Sequence, residues 1–322
     1  LGRMGEGRSC YPGGCLIGAR PIDLHLMALR ALGADIRERD GTIEASCRKN
    51  GGLKGTEIHL SYPSVGATEQ AILASVLADG VTIIHQAARE PEISQLCRFL
   101  NNMGAVICGM GTDHLMIQGV KTLHDSLWKV AGDRIAAGTY CSGVMMAGGS
   151  ISLKEVIPEQ LEEPLILFQR AGAVVKRERE RLFICMKDRP DPLKISTGPY
   201  PGFPTDMQSL FMAFLSIAKG ESCITENVFE DRFGTAAELV KMGADITCQG
   251  KTAVIKGVPL LAGTKVRALD LRGAAALVMA ALGAEGSTII EDCYHIKRGY
   301  EDICRDLRAL GGRADWMESD TG

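Results

Sequence analysis

Residues 29–36 read LRALGADI, and the plan returns as LNNMGAVI at 100–107, FQRAGAVV at 168–175, LVKMGADI at 239–246 and, degraded, LRALGGRA at 307–314. The central glycines, Gly33, Gly104, Gly172, Gly243 and Gly311, stand 71, 68, 71 and 68 residues apart. Each ends an amphipathic run and opens a short alternating segment, as when a helix closes on a C′ glycine and hands over to a strand. A second recurrence keeps the period: ADGVTIIHQA, AGGSISLKEV, AKGESCITEN and AEGSTIIEDC carry glycines at 80, 149, 220 and 286, each after an apolar helix-like run. One unit therefore reads strand, helix, strand, helix, strand, strand. Five unit ends are present, and the first unit lacks its opening strand and helix. The fold class is an α/β repeat.

With 322 residues, two domains are expected. Hydrophobic residues make up 46% and the formal net charge is −3, so neither nucleic acid nor an anionic membrane is indicated as a partner. The longest apolar runs, such as LFMAFLSIA at 210–218, are too short to span a bilayer, so no membrane insertion is expected. The 11 cysteines include no C-x-x-C pair, which disfavours a disulfide framework or a zinc site and points to a reducing cytoplasm. Ten of them read as buried packing residues. The chain opens on Leu1 inside an ordinary-looking segment and is expected to be a fragment.

The repeat places a strand-to-helix junction at the same point of every unit, and helix N-termini attract anions. Ser64-Val65-Gly66, Asp133-Arg134, Thr205-Asp206 and Asp270-Leu271-Arg272 occupy four of them. Ser, Thr and Asp there are ordinary N-caps, a reading with about half the weight for each alone. Arginines are less expected because their charge opposes the helix dipole, yet Arg20, Arg232, Arg272 and Arg298 recur in these loops. That pattern suits bidentate capture of phosphate or carboxylate. Asp206, in the stiff loop PGFPTDMQ, is either a cap or a general base among arginines. In YPGGCLIGARP, residues 11–21, Cys15 follows two glycines, with Arg20 close by and Pro21 at the expected N1 position of a helix. That setting favours a reactive thiol.

Taken together, YPGGCLIGARPIDLH, SVGAT, AAREPEI, GFPTDMQ, VFEDRF, DLRGAA and YHIKRGYE resemble, in order, the signatures of the bacterial UDP-N-acetylglucosamine 1-carboxyvinyltransferase family, along essentially the whole chain. The resemblance implies a two-domain enolpyruvyl transferase fold, an inside-out α/β barrel built from six βαβαββ units. The domains would be residues 1–131, incomplete at the N-terminus, and 132–322, three units lacking the first strand. It implies transfer of the enolpyruvyl group of phosphoenolpyruvate to the 3′-hydroxyl of UDP-N-acetylglucosamine, with release of phosphate, at the start of peptidoglycan synthesis. No metal or organic cofactor is implied.

By the same resemblance, Cys15 protonates or adds to phosphoenolpyruvate, assists product release and is the target of fosfomycin. Asp206 is the base near the sugar hydroxyl, and Arg298 is the third catalytic residue. Arg20, Arg272 and Arg298 face phosphoenolpyruvate or the sugar-nucleotide phosphates. Ser64, Val65 and Gly66, with Arg20, Pro21, Ile22, Asp23 and Leu24, hold the diphosphate or uridine. Val228 and Asp270 join the substrate-binding set, and Arg232 is a domain-closure partner. The family's N-terminal lysine–asparagine segment lies outside this sequence, so the isolated chain is expected to be unstable or inactive. Two alternatives stand beside the transferase: a paralogue that only binds a sugar nucleotide, and a thiol redox protein using Cys10 and Cys15, whose spacing argues against it.

Overall fold

The computed structural model describes residues 1–11, 21–48 and 51–317. Cys15 and Arg20 lie outside them. The chain divides into two compact units, one from the described residues of 1–130 with 199–201, the other from 131–198 and 202–317.

The first unit runs β1 (Glu6–Cys10), α1 (Asp23–Ala31), β2 (Asp35–Arg39), β3 (Thr42–Ser46), β4 (Glu57–His59), α2 (Val65–Ser75), β5 (Val81–His85), α3 (Pro91–Asn102), β6 (Val106–Cys108) and β7 (His114–Gln118). Its sheets have the orders β1-β3-β2 and β4-β5-β7-β6. In the second sheet β4 and β5 are parallel, as a crossover through α2 requires, and the other pairs are antiparallel.

The second unit continues with α4 (Arg134–Ala147), β8 (Gly149–Lys154), α5 (Glu162–Arg170), β9 (Val174–Glu178), β10 (Arg181–Met186), β11 (Lys194–Ser196), α6 (Gln208–Leu215), β12 (Glu221–Thr225), α7 (Gly234–Lys241), β13 (Asp245–Gln249) and β14 (Thr252–Lys256). There follow β15 (Leu261–Ala262), β16 (Lys265–Arg267), α8 (Leu271–Leu282), β17 (Ala284–Glu285), β18 (Ile289–Glu291) and α9 (Ile303–Ala309). The order β11-β12-β14-β13 repeats that of β4-β5-β7-β6, and β8-β10-β9 is the same sheet without a parallel first strand among the described residues. The pairs β15–β17 and β16–β18 are parallel. The repeat inferred from glycine spacing is thus the repeat of the fold.

The recurring glycines explain its regularity. After α1, α3, α5, α7 and α9, the closing glycine has φ between +92° and +101°. In every case the next residue's N–H reaches back five residues, as Ala34 does to Leu29 and Ala244 to Leu239, and the glycine's own N–H reaches back three. These are Schellman closures, which answer the carbonyls a helix leaves open. After α1, α3, α5 and α7 the chain then enters a strand, β2, β6, β9 and β13 respectively; after α9 no strand follows among the described residues.

Helices of the second unit fall into two kinds. Residues of α6 are buried on every side, and α4 and α8 nearly so. Such all-round apolar helices belong at the centre, and the three pack against one another. Small residues allow the approach: a Cβ at Gly138 would stand 2.0 Å from the Met207 methyl, and one at Gly143 2.8 Å from the Met279 sulfur. By contrast α5, α7 and α9 bury one face and carry Arg170, Lys241 and Arg308 in the last turn.

Two expectations need correction. Pro21 is not at N1, because α1 begins at Asp23 with Ile22 as its N-cap. The proline precedes the cap and stiffens the approach instead. Among the ten described cysteines, Cys47, Cys97, Cys141 and Cys304 are buried, but Cys10, Cys108 and Cys248 are exposed. Those three stand on strands β1, β6 and β13; Cys108 alternates outward from the buried Ile107, whereas β1 is exposed along its whole length and β13 along all but Ile246. Burial pushes the thiol of Cys97 up to about 11 and that of Cys141 to about 12, so both remain protonated packing groups. Among the described residues no helix is long and apolar enough to cross a membrane.

The closing glycines are testable singly. At Gly243, φ is +94° and an added Cβ would meet no atom within 4 Å, so Gly243→Ala brings no clash and isolates the backbone cost. It is expected to lower unfolding free energy by about 1–2 kcal/mol. An unchanged urea unfolding curve would show that the left-handed closure is dispensable.

Candidate active site

In the second unit, three helix starts and one loop meet. Asp133 caps α4, accepting from the N–H groups of Ile135 at 2.7 Å and Ala136 at 3.1 Å. Asp270 caps α8, accepting from Arg272 and Gly273 at 2.9 and 3.0 Å. In the first unit Ser64 does the same for α2, accepting from Ala67 at 3.4 Å. These three satisfy orphan backbone donors, the ordinary duty of such residues.

Asp206 does not. It lies in a 3₁₀ turn, Thr205–Met207, that precedes α6 and has no side-chain cap. Its carboxylate instead accepts from Arg232 at 2.8 Å and from Arg272 at 3.4 Å, one guanidinium on each oxygen. The Arg232 side chain is only 4% exposed and the Asp206 side chain 41%. Phe229 backs Arg232, its ring centre 5.0 Å from the guanidinium carbon. Burial alone would push the Asp206 carboxyl up. The charges of Arg272 and Arg232 outweigh it and hold the group below its ordinary 3.8. Asp206 is therefore an ionised acceptor at neutral pH.

Arg272 is the second residue of α8, where its charge opposes the helix dipole. Asp206 and Tyr300 compensate. The Tyr300 hydroxyl accepts from Arg272 at 3.4 Å and lies 2.7 Å from Thr139 Oγ1 of α4. Thr139 gives its own proton to the Ile135 carbonyl at 3.0 Å, so the tyrosine donates to Thr139. Burial raises the Tyr300 pKa against the opposing charge of Arg272, so it stays a neutral phenol. The starts of α4, α6 and α8 are thereby wired together.

Sequence reasoning missed the group that orders the loops. Glu226, 1% exposed, follows β12. Its carboxylate accepts from Thr197 and Thr205 hydroxyls, both at 2.9 Å, and from the N–H groups of Val228 and Phe229 at 2.8 and 3.1 Å. It thus fixes both the residue before Asp206 and the loop leading to Arg232. The signal was its place: last but one in AKGESCITEN, where an acid ends a buried strand. Val228 itself is 44% exposed. Arg298 is exposed at the end of a 3₁₀ helix, Cys293–Arg298, two residues before Tyr300.

In the first unit the expected residues frame the start of α2. The Ser64 carbonyl accepts from the Thr68 hydroxyl at 2.7 Å, and Thr68 Oγ1 accepts from Ala88 N–H at 3.0 Å, tying the start of α2 to the loop that carries Arg89. His25 of α1 packs under Gly66, where a Cβ would stand 2.9 Å from its Nε2. Burial lowers the His25 pKa, against the pull of Asp23, so a neutral ring supports this turn. Ile22, Asp23 and Leu24 form the N-terminal end of α1, with Leu24 buried. His25 and Tyr300 are further residues that motif reading passed over.

The chain matches the EPSP synthase (3-phosphoshikimate 1-carboxyvinyltransferase) family over residues 1–307. It is 48% identical over 302 residues to UDP-N-acetylglucosamine 1-carboxyvinyltransferase 2 of Caldanaerobacter subterraneus subsp. tengcongensis, covering 94% of this chain and 72% of that one. The same enzyme name is carried by a relative from Aeromonas hydrophila, 46% identical over 314 residues, with 97% and 75% covered. The chain belongs to the UDP-N-acetylglucosamine 1-carboxyvinyltransferase family. Its fold agrees with that family's wider group. The enolpyruvyl transferase NikO of Streptomyces tendae superposes with a TM-score of 0.85 at 26% identity over 97% of this chain and 74% of that one. An EPSP synthase of Acinetobacter baumannii, at 20% identity, gives 0.72 over 97% and 75% and speaks for the fold alone.

The Asp206 ion pairs set a pH dependence with a definite sign. Because the folded-state pKa is lowered, the ionised group stabilises the fold above its ordinary value and that stability is lost as pH falls through the lowered one. The stability difference between the native chain and Asp206→Asn is expected to hold from about pH 7 down to about pH 5, to begin shrinking near the ordinary 3.8, and to vanish only as pH falls through the lowered value. Acid-unfolding curves of the two proteins check this; a difference that grows on acidification would contradict the ion-pair assignment.

Proposed function

We infer that this chain transfers the enolpyruvyl group of phosphoenolpyruvate to the 3′-hydroxyl of UDP-N-acetylglucosamine, releasing phosphate; relatives named UDP-N-acetylglucosamine 1-carboxyvinyltransferase support the reading. The observation that carries the reading is Asp206: of the acids at the helix starts, it is the one held between arginines rather than spent as a cap. The reaction makes a bond from the sugar oxygen to the carbon bearing phosphate. That requires removing the hydroxyl proton and delivering one to the neighbouring methylene carbon. Loss of phosphate and of a proton from the methyl group so formed then restores the double bond.

Asp206 is the proton acceptor for the hydroxyl. An acid between two arginines is a weak base, but an anionic substrate competes for those same arginines. Engagement of Arg272 or Arg232 by phosphate or carboxylate relieves their hold and raises the proton affinity of Asp206. The base is thus strengthened by the arrival of the substrate it serves. Arg298 and Arg20 complete the anion-binding set, and Asp270 orients Arg272 through its backbone N–H. Cys15 supplies the proton for the methylene carbon and is the site of fosfomycin alkylation. Ser64, Val65 and Gly66, with Pro21, Ile22, Asp23 and Leu24, bind the nucleotide, and Val228 lines the sugar. The reading places the reaction in the bacterial cytoplasm, in keeping with ten described cysteines that are all unpaired, and as part of cell-wall synthesis, on which shape and division depend.

With both substrates, a protein carrying this chain together with the lysine–asparagine segment is expected to release phosphate, and fosfomycin is expected to leave a single adduct on Cys15, read by peptide mass mapping. Cys15→Ala should abolish both. Binding of UDP-N-acetylglucosamine without phosphate release would make the chain a sugar-nucleotide-binding module instead.

Asp206→Asn is expected to lower kcat about 10²–10⁴-fold, as loss of a general base does, while leaving the KM for the sugar nucleotide close to native. A fall in affinity with kcat intact would assign Asp206 to binding.

A further inference from the structure

Three of the six histidines stand side by side on adjacent strands of the β4-β5-β7-β6 sheet. His59 of β4 is the direct partner of His85 of β5, and His85 is the direct partner of His114 of β7. Their strand neighbours Ile58, Ile84 and Leu115 are buried in the core. By alternation the histidines therefore face the other way, off the outer surface of the sheet. Glu57 shares that face, two residues before His59.

The donor atoms converge. Glu57 Oε2 lies 3.5 Å from His59 Nε2 and 3.4 Å from His85 Nε2. All three lie within 4.8 Å of one another. Four-coordinate metal–nitrogen and metal–oxygen bonds of about 2.0–2.2 Å place neighbouring ligand atoms roughly 3.3–3.6 Å apart. The His59 and His85 rings are stacked, 4.1 Å between centres and 3° from parallel, so the exposed His59 ring turns about its χ2 to aim both lone pairs at one ion. His85 Nε2 is shielded from solvent yet makes no hydrogen bond, an open position that a cation would fill. His114 meets His85 edge-on at 5.1 Å, and its Nδ1 is held by Asp113 Oδ1 at 2.8 Å. Asp113 thereby fixes the ring that packs against the edge of His85.

We propose that Glu57, His59 and His85 bind one first-row divalent transition ion of the zinc class on the outer face of this sheet. Two imidazoles and one carboxylate are the ligands, with water completing the shell. The ion joins β4 to β5 close to where each strand runs into a site-bearing loop, residues 60–64 and 86–90. It takes no part in enolpyruvyl transfer, and the proposal does not rest on that reading. Its effect is to hold the parallel pair β4–β5 together and raise the stability of the first unit.

The test is titration of the full chain with Co²⁺, followed by absorption and by histidine ring NMR. One ion per chain is expected, with the bands of a nitrogen–oxygen site, no thiolate charge-transfer band, and paramagnetic shifts confined to His59, His85 and His114. The ion should also raise Tm. His59→Gln and His85→Gln should each weaken binding at least ~10-fold, since even supporting residues are worth that much, and should remove the Tm rise. His59 is 68% exposed, so its replacement leaves the core intact. No spectral change at millimolar Co²⁺, a thiolate charge-transfer band, or undiminished binding in His59→Gln would overturn the proposal.

Discussion

Burying a helix on all sides leaves its first backbone N–H groups to be answered at one end, and the second unit is organised by that constraint. The flanks of α4, α6 and α8 are filled by Leu, Met, Phe and Ala, so polar partners have to gather at the tips. Asp133 and Asp270 meet this demand as caps. Asp206 does not, since α6 enters through a 3₁₀ turn. A carboxylate is thus left over where three helix dipoles already favour negative charge, and the arginines follow from it. Arg272 stands against the dipole of its own helix, and Asp206 with Tyr300 offsets the conflict.

A largely buried guanidinium such as Arg232 would be strongly destabilising without its partner. Glu226 keeps the partner in place without touching it. By accepting from two threonines and two backbone amides, one carboxylate fixes the turn that presents Asp206 and the loop that leads to Arg232. Position is thereby separated from charge: Glu226 sets where the loops lie, and Asp206 carries the charge that pairs with the two arginines.

What could be read in advance follows from which features are local. A glycine at φ near +95° after a helix is a local requirement that few other residues meet, so the five closures and the whole repeat stood in the sequence. The junction acids were also visible, but their duties were not. Asp270 and Asp206 look alike in sequence, and only the turn at Thr205–Met207 separates a cap from a free carboxylate. Tyr300 lies 161 residues from Thr139, and Glu226 lies 29 from Thr197; no motif links such pairs. Cys108 was misread for a related reason. On a strand the face depends on register, so Cys108 turns outward beside the buried Ile107.

The same unit yields different chemistry at its two best-described junctions. At α2 the start offers Ser64, a glycine pressed on a neutral histidine, and backbone groups. At α6 and α8 the start carries two arginines about one carboxylate. Neutral, backbone-lined turns suit a ligand recognised by shape and by hydrogen bonds spread over several atoms, such as a nucleotide. A charge-dense junction suits a small anion whose bonds are to be broken, because a preorganised field acts most strongly on charge that moves. Repetition supplies several equivalent helix starts, and divergence at one or two residues in each gives them different chemistry. Gly66 shows how little is needed: a side chain there would displace His25, so its absence alone keeps the first junction open to backbone contact.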